Sequence, residues 1–318
     1  MIAQRDYAAL RSFWQGDQHP TSGRRRRDEV RLVANYAADL IAKHTHATIA
    51  ALGDLPPIPP LTLYRAIADA IALGDAYIYY HRTQRAYIYL PPESVTWPDP
   101  DSPATVRLRP DYTETWGPYT LTIQHSPGTG AAPLRPTAPL RPTAPLRPTA
   151  PLRPTAPPRS THRHPWPRPP LAHIQGAPDG SSMLEQIAPL CRALNERISQ
   201  WLWLMRTQAS PPIVTRGLDK AVLRVEPGEI WPLPRDASAD ILKLMDGSTA
   251  NIHIQAIHEL QRIIREVTGT PEIAYGFGSA ALSGAALEQA MLPLTTAARA
   301  RAALVRAALD PLIQMIQP

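Results

Sequence analysis

The stretch that decides the fold is GTPEIAYGFGSAALSG, residues Gly269–Gly284, together with the segments on either side of it. Apolar residues before it recur every three to four positions, which predicts an amphipathic helix over 251–268. Gly269 and Pro271 then end that helix, as is usual at helix C-termini. The alanine- and arginine-rich segment over 285–318 predicts a longer helix. Two helices joined by a loop of small residues form a structural element without side chains suited to catalysis.

Upstream, the same periodicity predicts another helix over 182–209. Its second half is apolar around most of its circumference, and Trp201, Trp203 and Met205 lie there. Such a surface indicates burial on more than one side, so we predict that these three residues contact a neighbouring subunit. Short apolar runs separated by turn signals over 210–250 predict a small β-containing excursion between two helices.

The N-terminal part of the chain mixes helical and strand patterns, which indicates an α+β fold. Amphipathic helices are predicted over 24–51 and 63–73. Strands are predicted over 76–80 and 86–90 as a tyrosine-rich hairpin, and over 105–109, 119–124 and 171–175.

A segment with a six-residue repeat interrupts this pattern. The unit Ala-Pro-Leu-Arg-Pro-Thr occurs four times from Ala132 to Thr155. Two prolines in every six residues exclude a helix or a central strand. We therefore predict a disordered or polyproline-II linker over 126–170. Expansion of a short repeat in a surface loop is favoured over a ligand for an aromatic groove, because such an insertion costs little stability.

The basic character of the chain is concentrated in this segment. The net charge is +6 and the isoelectric point about 9.6. Residues 131–170 contain seven arginines and no acid, so the remaining residues sum to 6 − 7 = −1. The high isoelectric point is therefore weak evidence for a DNA-binding surface on the folded parts.

Little in the sequence favours an enzyme, and we expect no catalytic residues, no cofactor and no metal. Three pairs of histidines lie close in sequence, at positions 44 and 46, 162 and 164, and 253 and 258. None has a spacing or setting that indicates a metal or acid–base site. Cys191 has no evident activating base, and no glycine-lysine phosphate loop is present. The first residues lack the apolar core of a signal peptide, and no run approaches ~20 apolar residues, so we expect a cytosolic protein.

The order of elements resembles that of the portal proteins of tailed bacteriophages. The local matches are LGDAYIY (73–79), LPPESV (90–95), GSSMLEQIAPL (180–190), TGTPE (268–272), FGS (277–279) and SGAAL (283–287). Together with their flanks, they cover about residues 25–125 and 171–318.

The resemblance implies a portal-like organisation of the α+β fold. Its segments would be a wing body of helices and antiparallel strands (1–125), the repeat linker (126–170), a return strand and first stem helix (171–209), a clip (210–250), a second stem helix (251–268), a tunnel loop (269–284) and a long C-terminal helix (285–318).

It also implies a function: a twelve-membered ring of identical subunits at a capsid vertex, through which double-stranded DNA is packaged and ejected. Residues expected to line the channel are Thr270, Glu272, Tyr275, Phe277, Ser279 and Ser283. Arg299, Arg301 and Arg306 either meet phosphates or solvate one face of the last helix.

The implied partners are other copies of the chain, double-stranded DNA, a terminase, the major capsid protein and a head–tail adaptor, with no membrane involved. The implied location is the virion, and the host cytoplasm during assembly. The alternative is a non-enzymatic, helical, oligomeric head or scaffold-type interaction protein, and a nucleic-acid-binding module is a third option.

Overall fold

The computed structural model describes residues 5–18, 33–98, 102–125, 159–209, 213–217, 235–241, 247–276 and 283–316. Helices and antiparallel sheets both contribute, in agreement with the α+β class. The chain divides into two compact units. We call Met1–Ala8, Thr45–Ser182 and Ala298–Pro318 the sheet unit, and Ala9–His44 with Met183–Ala297 the helical unit.

The helices are α1 (Tyr7–Trp14), α2 (Tyr36–Leu52), α3 (Pro60–Leu73), α4 (Met183–Ala209), α5 (Gly247–Thr268) and α6 (Gly284–Ile316), with 3-10 turns at Pro92–Ser94 and Glu272–Tyr275. The strands are β1 (Asp75–His81), β2 (Ala86–Leu90), β3 (Val95–Thr96), β4 (Ala104–Arg109), β5 (Tyr112–Gly117), β6 (Thr120–His125), β7 (Arg159–Arg163), β8 (Leu171–Gln175), β9 (Ile213–Arg216) and β10 (Ser238–Ile241).

The sheet unit contains two antiparallel sheets, one with the strand order β2-β1-β8 and one with the order β3-β4-β5-β6-β7. One apolar cluster joins residues of both sheets: Tyr77, Tyr79, Leu90, Val95, Ala104, Val106, Trp116, Leu121 and Leu171. Helix α3 packs on the three-stranded sheet. It starts with Pro60, whose fixed φ suits the first turn of a helix. It ends at Gly74, which adopts a φ of 95° and donates its N–H to the Ala70 carbonyl.

The N-terminal residues of the sheet unit are held by the Asp75 carboxylate. Arg5 forms an ion pair with it at 3.0 Å, and the Tyr7 hydroxyl donates to it at 2.7 Å. His173 contacts the other carboxylate oxygen at 2.8 Å. Burial alone would raise the pKa of Asp75, but the hydrogen bonds from His173 and Tyr7 outweigh it and lower that pKa. The ionised carboxylate therefore links three separate parts of the sequence.

In the helical unit, α4 and α5 pack along each other, and β9 pairs with β10 as a short antiparallel ribbon. A buried amide network fixes the chain around α4. The Asn195 amide donates to Gln18 Oε1 at 2.8 Å, and the Gln18 amide donates to Asn35 Oδ1 at 2.7 Å. Asn195 Oδ1 accepts the Ala34 N–H at 3.0 Å. These bonds satisfy polar groups that would otherwise be costly to bury.

Two sequence predictions are wrong in detail. The linker predicted over 126–170 contains strand β7, because the proline periodicity has ended by Arg159 and the strand pairs with residues 120–124 of β6. The helix predicted over 24–51 begins only at Tyr36, because Asn35 Oδ1 accepts the N–H of Ala38 and caps it. Residues 126–158 and 19–32 lie outside the described residues.

The predicted stem and clip boundaries also shift. Helix α4 lies within the predicted first stem helix. Helix α5 begins at Gly247, inside the segment predicted as clip, and β10 was not predicted at all. Residues 218–234, in the middle of the predicted clip, lie outside the described residues.

Candidate channel segment and assembly surface

The predicted tunnel loop has local structure in its first half. Pro271 leads into the 3-10 turn Glu272–Tyr275, which ends at Gly276 with a φ of 80°. Residues 277–282, among them Phe277 and Ser279, lie outside the described residues. The positions of the remaining candidates, Thr270, Glu272, Tyr275 and Ser283, are considered in turn.

Thr270 lies inside the helical unit, with 3% of its surface exposed. Its Oγ1 atom lies 2.9 Å from His44 Nε2 and 2.8 Å from Thr268 Oγ1. Because the Thr268 hydroxyl donates to the Ile264 carbonyl, Thr270 donates to Thr268 and accepts from the Nε2–H of His44. The Thr270 hydroxyl is therefore buried and occupied by these two bonds, an arrangement that does not favour a channel-lining position; that role stays a prediction.

Tyr275 is half-buried against the first part of α2. Its ring stacks on Tyr36, with a centroid distance of 5.7 Å and an interplanar angle of 10°. The Lys43 ammonium lies 4.2 Å from the centre of the same ring, which is a cation–π geometry. Burial raises the pKa of Tyr275, so its hydroxyl stays protonated. These contacts hold the turn to α2, which is a packing role; the predicted channel-lining role stays a prediction.

Glu272 and Ser283 remain at the surface. The Glu272 side chain is 66% exposed and pairs with Arg265 at 2.5 Å, which offsets its charge locally. Ser283 is exposed, and its Oγ accepts the N–H of Ala286 at 3.3 Å, so it caps the N-terminus of α6. Both positions are compatible with a solvent-facing segment of low net charge.

Two of the three arginines predicted to face DNA are used within the sheet unit. Arg301 Nε donates to the Gly176 carbonyl at 3.1 Å, and burial lowers the pKa of its guanidinium. Arg306 donates to the Leu52 carbonyl. Arg301 is therefore not free to contact phosphate, and Arg306 is held by its bond although its residue is exposed. Among the described residues, Arg299 is the one of the three that is exposed and has no protein partner.

Large apolar side chains are exposed mainly on the helical unit. On α4, Trp203 is 43% and Met205 is 45% exposed, whereas Trp201 is half-buried. The indole N–H of Trp201 is buried without a hydrogen-bond partner in the described parts of the chain. Other exposed apolar residues of this unit are Val214, Ile252, Val267, Leu287 and Leu292. Trp203 and Met205, two residues apart on α4, are the exposed pair that fits the predicted subunit contact.

The chemistry available in the described residues is limited. They contain no cluster of acidic, histidine or cysteine side chains arranged to hold a metal. Burial raises the pKa of the Cys191 thiol to about 12, so a reactive thiolate is not formed near neutral pH. No helix in this part of the chain is long and apolar enough to cross a membrane.

Comparisons with known proteins show a weak similarity to solved structures. No protein-family model matches the chain, and no curated protein matches it. Among solved structures, the chain is similar to one in a structure described as the neck of an empty GTA particle computed with C6 symmetry. That match covers 98% of this chain and 83% of the other, at 16% identity and a TM-score of 0.46. A similarity at this level does not establish a shared fold or function.

The buried Thr270 hydroxyl gives a first test of the helical unit. Replacing it by valine keeps the shape but removes the acceptor for His44 and the donor for Thr268. We expect Thr270→Val to lower the free energy of unfolding by about 1–3 kcal/mol, because two buried polar groups each lose a bond. The change in the free energy of unfolding is measured by urea denaturation, and amide hydrogen exchange in α5 shows whether the effect is local. Thr270→Ser keeps the hydroxyl and is the control. Equal stability of the two variants would contradict the assigned bonds.

Proposed function

We propose that the chain is a portal-type structural protein of a tailed-phage-like particle, which assembles into a ring around double-stranded DNA. The observation that supports this is the order of α4, the β9–β10 ribbon, α5, a short turn and α6, in which the helices span 27, 22 and 33 residues. At 1.5 Å per residue, α4 is about 40 Å long and α6 about 50 Å. Helices of this length are suited to form the wall of a channel.

Ring closure needs two different complementary faces on each subunit. On this proposal, the exposed Trp203 and Met205 of α4 form one face. The complementary face lies on α5 of the neighbouring subunit. There Ile252 and Val267 are 63% and 49% exposed. These side chains are exposed to water in the single chain, and burying them between subunits would provide favourable free energy of association.

The segment over 269–284 would form the constriction. DNA that must move is held best without base-specific contacts, and the only charged side chain in this segment, Glu272, is paired with Arg265. The proposed role needs no catalytic residue, cofactor or metal. Its partners would be a terminase, the major capsid protein and a head–tail adaptor, with the virion as the location.

The test is the mass and shape of the purified protein. With a chain mass of 35.0 kDa, a twelve-membered ring has a mass of about 420 kDa. We expect such particles in light scattering, and rings in negative-stain micrographs. The double variant Trp203→Glu with Met205→Glu should reduce the mass to that of single chains or small oligomers, because it places charge in an apolar contact.

The matched control is Leu61→Glu, which charges a still more exposed apolar position on α3 of the sheet unit, where the residue is 61% exposed. This variant should assemble like the wild type. Monomers or dimers of the wild type at high concentration, without rings, would contradict the proposal. Large assemblies that are not rings would favour the alternative, a helical head or scaffold-type interaction protein.

A further inference from the structure

The outward face of the five-stranded sheet contains a row of threonines, with one residue from every strand. Directly paired residues of antiparallel strands project from the same face. The register pairs Thr96 with Thr105, Thr105 with Thr115, Thr115 with Thr122, and Thr122 with Thr161. The hydroxyls of the last pair lie 3.5 Å apart. The opposite face carries the apolar cluster of the sheet unit, so this row lies on the solvent side.

The rows on either side of the threonines contain arginines. The row on one side consists of Arg107, Thr113, Gln124 and Arg159, and the row on the other side contains Thr120 and Arg163. Arg159 donates to Gln124 Oε1 at 3.2 Å, which orients its guanidinium across this face. Arg82, from the β1–β2 turn, donates to the Arg163 carbonyl at 3.4 Å. It lies beside β7 and is the fourth positive charge, after Arg107, Arg159 and Arg163.

The described strands place no acidic side chain on this face, and Asp111 lies in the exposed turn between β4 and β5. Within the described strands β3 to β7 the one acidic residue is Glu114, and it lies on the inner face, opposite Val106 and Ile123. In the described part of the chain, no carboxylate pairs with Arg107, Arg159 or Arg163. The face therefore combines uncompensated guanidinium groups with a continuous row of hydroxyl donors, and it is exposed over all of β7.

We propose that this face, which we call the Thr/Arg face, binds the phosphate backbone of double-stranded DNA without sequence preference. Arginine and threonine side chains are among the groups that commonly donate to phosphate oxygens. Arg107 and Arg159 are three strands apart, which is about 14 Å, and Arg159 and Arg163 are about 13 Å apart along β7. These spans are comparable with the ~12 Å width of the major groove, so the three guanidinium groups can reach phosphates on both of its sides.

Protection of a sheet edge does not account for the whole pattern. Charged side chains on an edge strand prevent pairing with other chains, and this explains Arg159 and Arg163 on β7. Arg107 lies just beyond the two residues of β4 that pair with β3, so edge protection can account for it as well. The threonine row is different, because it continues through β5 and β6, which are paired on both sides, and is not an edge feature.

The experiment measures binding of the full-length protein to a 30-base-pair DNA duplex of random sequence, by fluorescence anisotropy between about 50 and 200 mM NaCl. Each phosphate contact that is lost should reduce the slope of log K against log [salt] by about 0.9. The triple variant Arg107→Gln, Arg159→Gln, Arg163→Gln should therefore lower the slope by about 2 to 3 and weaken binding at least tenfold at the lowest salt.

Two controls isolate charge on this face from charge in general. The triple lysine variant of the same positions should retain the slope, because it keeps the charges. The variant Arg65→Gln, Arg197→Gln, Arg216→Gln removes three exposed arginines outside the five-stranded sheet and the β1–β2 turn, and should change the slope little. Replacing Thr115 and Thr122 by valine should weaken binding severalfold at an unchanged slope, because hydroxyls contact phosphate without carrying charge.

The proposal is overturned if the face variant binds DNA with the wild-type slope. It is also overturned if deletion of residues 126–158, the arginine-containing segment between β6 and β7, abolishes DNA binding while the face variant still binds like the wild type. Displacement of the duplex by polyglutamate at equal charge concentration would identify a general polyanion surface and would also contradict it. Ring formation is measured separately on the same variants, so failure of the portal proposal does not affect this result.

Discussion

Replacing Gly176 by alanine is expected to destabilise the sheet unit by about 3 kcal/mol or more. A Cβ atom at this position would lie 1.9 Å from the Ala70 carbonyl oxygen and 3.0 Å from the Ile71 Cα. Both are backbone atoms of α3, so no side-chain rotation can relieve the overlap. The clash therefore forces α3 away from the segment that follows β8.

The position also carries two hydrogen bonds that would move with the backbone. The Gly176 N–H donates to the Gly74 carbonyl at 3.0 Å, and the Gly176 carbonyl accepts from Arg301 Nε. Displacement of Gly176 would leave the half-buried Arg301 guanidinium without this acceptor. Loss of a bond to a charged group adds to the cost of the clash.

Chemical denaturation of the full-length variant, with amide exchange resolved for α3 and β8, measures the effect. Because the chain has two units, exchange in the individual elements is more informative than one global transition. The control is Gly284→Ala at the start of α6, where a Cβ would meet no atom within 4 Å. That variant should be as stable as the wild type or slightly more so. Wild-type exchange of α3 in Gly176→Ala would refute the predicted clash.

Periodic elements were predictable from the sequence. Helix α3 ends at Gly74, as the glycine at that position predicts, and β8 coincides with the predicted strand over 171–175. The signal was strong because each element is a run rich in apolar residues that is followed by a glycine, Gly74 after α3 and Gly176 after β8. Strand β5 was missed because its sequence, Tyr-Thr-Glu-Thr-Trp-Gly, places a carboxylate at a buried position. Only its tertiary partners make that position tolerable.

The candidate channel residues show a different limit of sequence analysis. Thr270 and Tyr275 belong to a loop of small and polar residues, and nothing local indicates that His44 and Tyr36 lie beside them. Both partners are more than 200 positions away in the sequence. Long-range contacts of this kind determine which polar residues are buried. Sequence periodicity, which is local, carries no information about them.

The Thr/Arg face could not be predicted for a related reason. Each of its strands contributes one threonine to the central row. These five threonines align only because of the register between the strands. That register includes the pairing of β6 with β7 across the repeat segment. The sequence analysis placed β7 in a linker, so the last member of the row was not assigned to a strand.

The second large effect concerns Glu114, which lies buried on the inner face of the five-stranded sheet with 3% exposure. Three donors converge on its carboxylate. The Tyr79 hydroxyl and the Trp116 indole N–H donate to Oε2 at 2.7 and 3.0 Å, and the Tyr112 hydroxyl donates to Oε1 at 2.9 Å. Burial and the neighbouring carboxylate both raise the pKa of Tyr79, so its hydroxyl remains a donor. This network joins β1 of one sheet to β5 of the other.

We expect Glu114→Leu to destabilise the sheet unit by about 3–5 kcal/mol, because the acceptor is removed while two buried donors and the partly buried Tyr112 hydroxyl remain. Glu114→Gln should cost less, about 1–2 kcal/mol, because an amide oxygen in the Oε2 position still accepts from Tyr79 and Trp116. The pair of variants separates loss of the acceptor from loss of the charge at nearly constant shape.

A double-mutant cycle then tests whether Glu114 is the centre of the network. Tyr79→Phe removes one donor and should destabilise the wild type by about 1–2 kcal/mol. In the Glu114→Leu background the same substitution should cost little or be stabilising, because it removes a hydroxyl that has already lost its acceptor. Stabilities are measured by urea unfolding with tryptophan fluorescence and with amide exchange in β5. Additive effects of the two substitutions would mean that Tyr79 and Glu114 act independently, which the 2.7 Å bond between them does not allow.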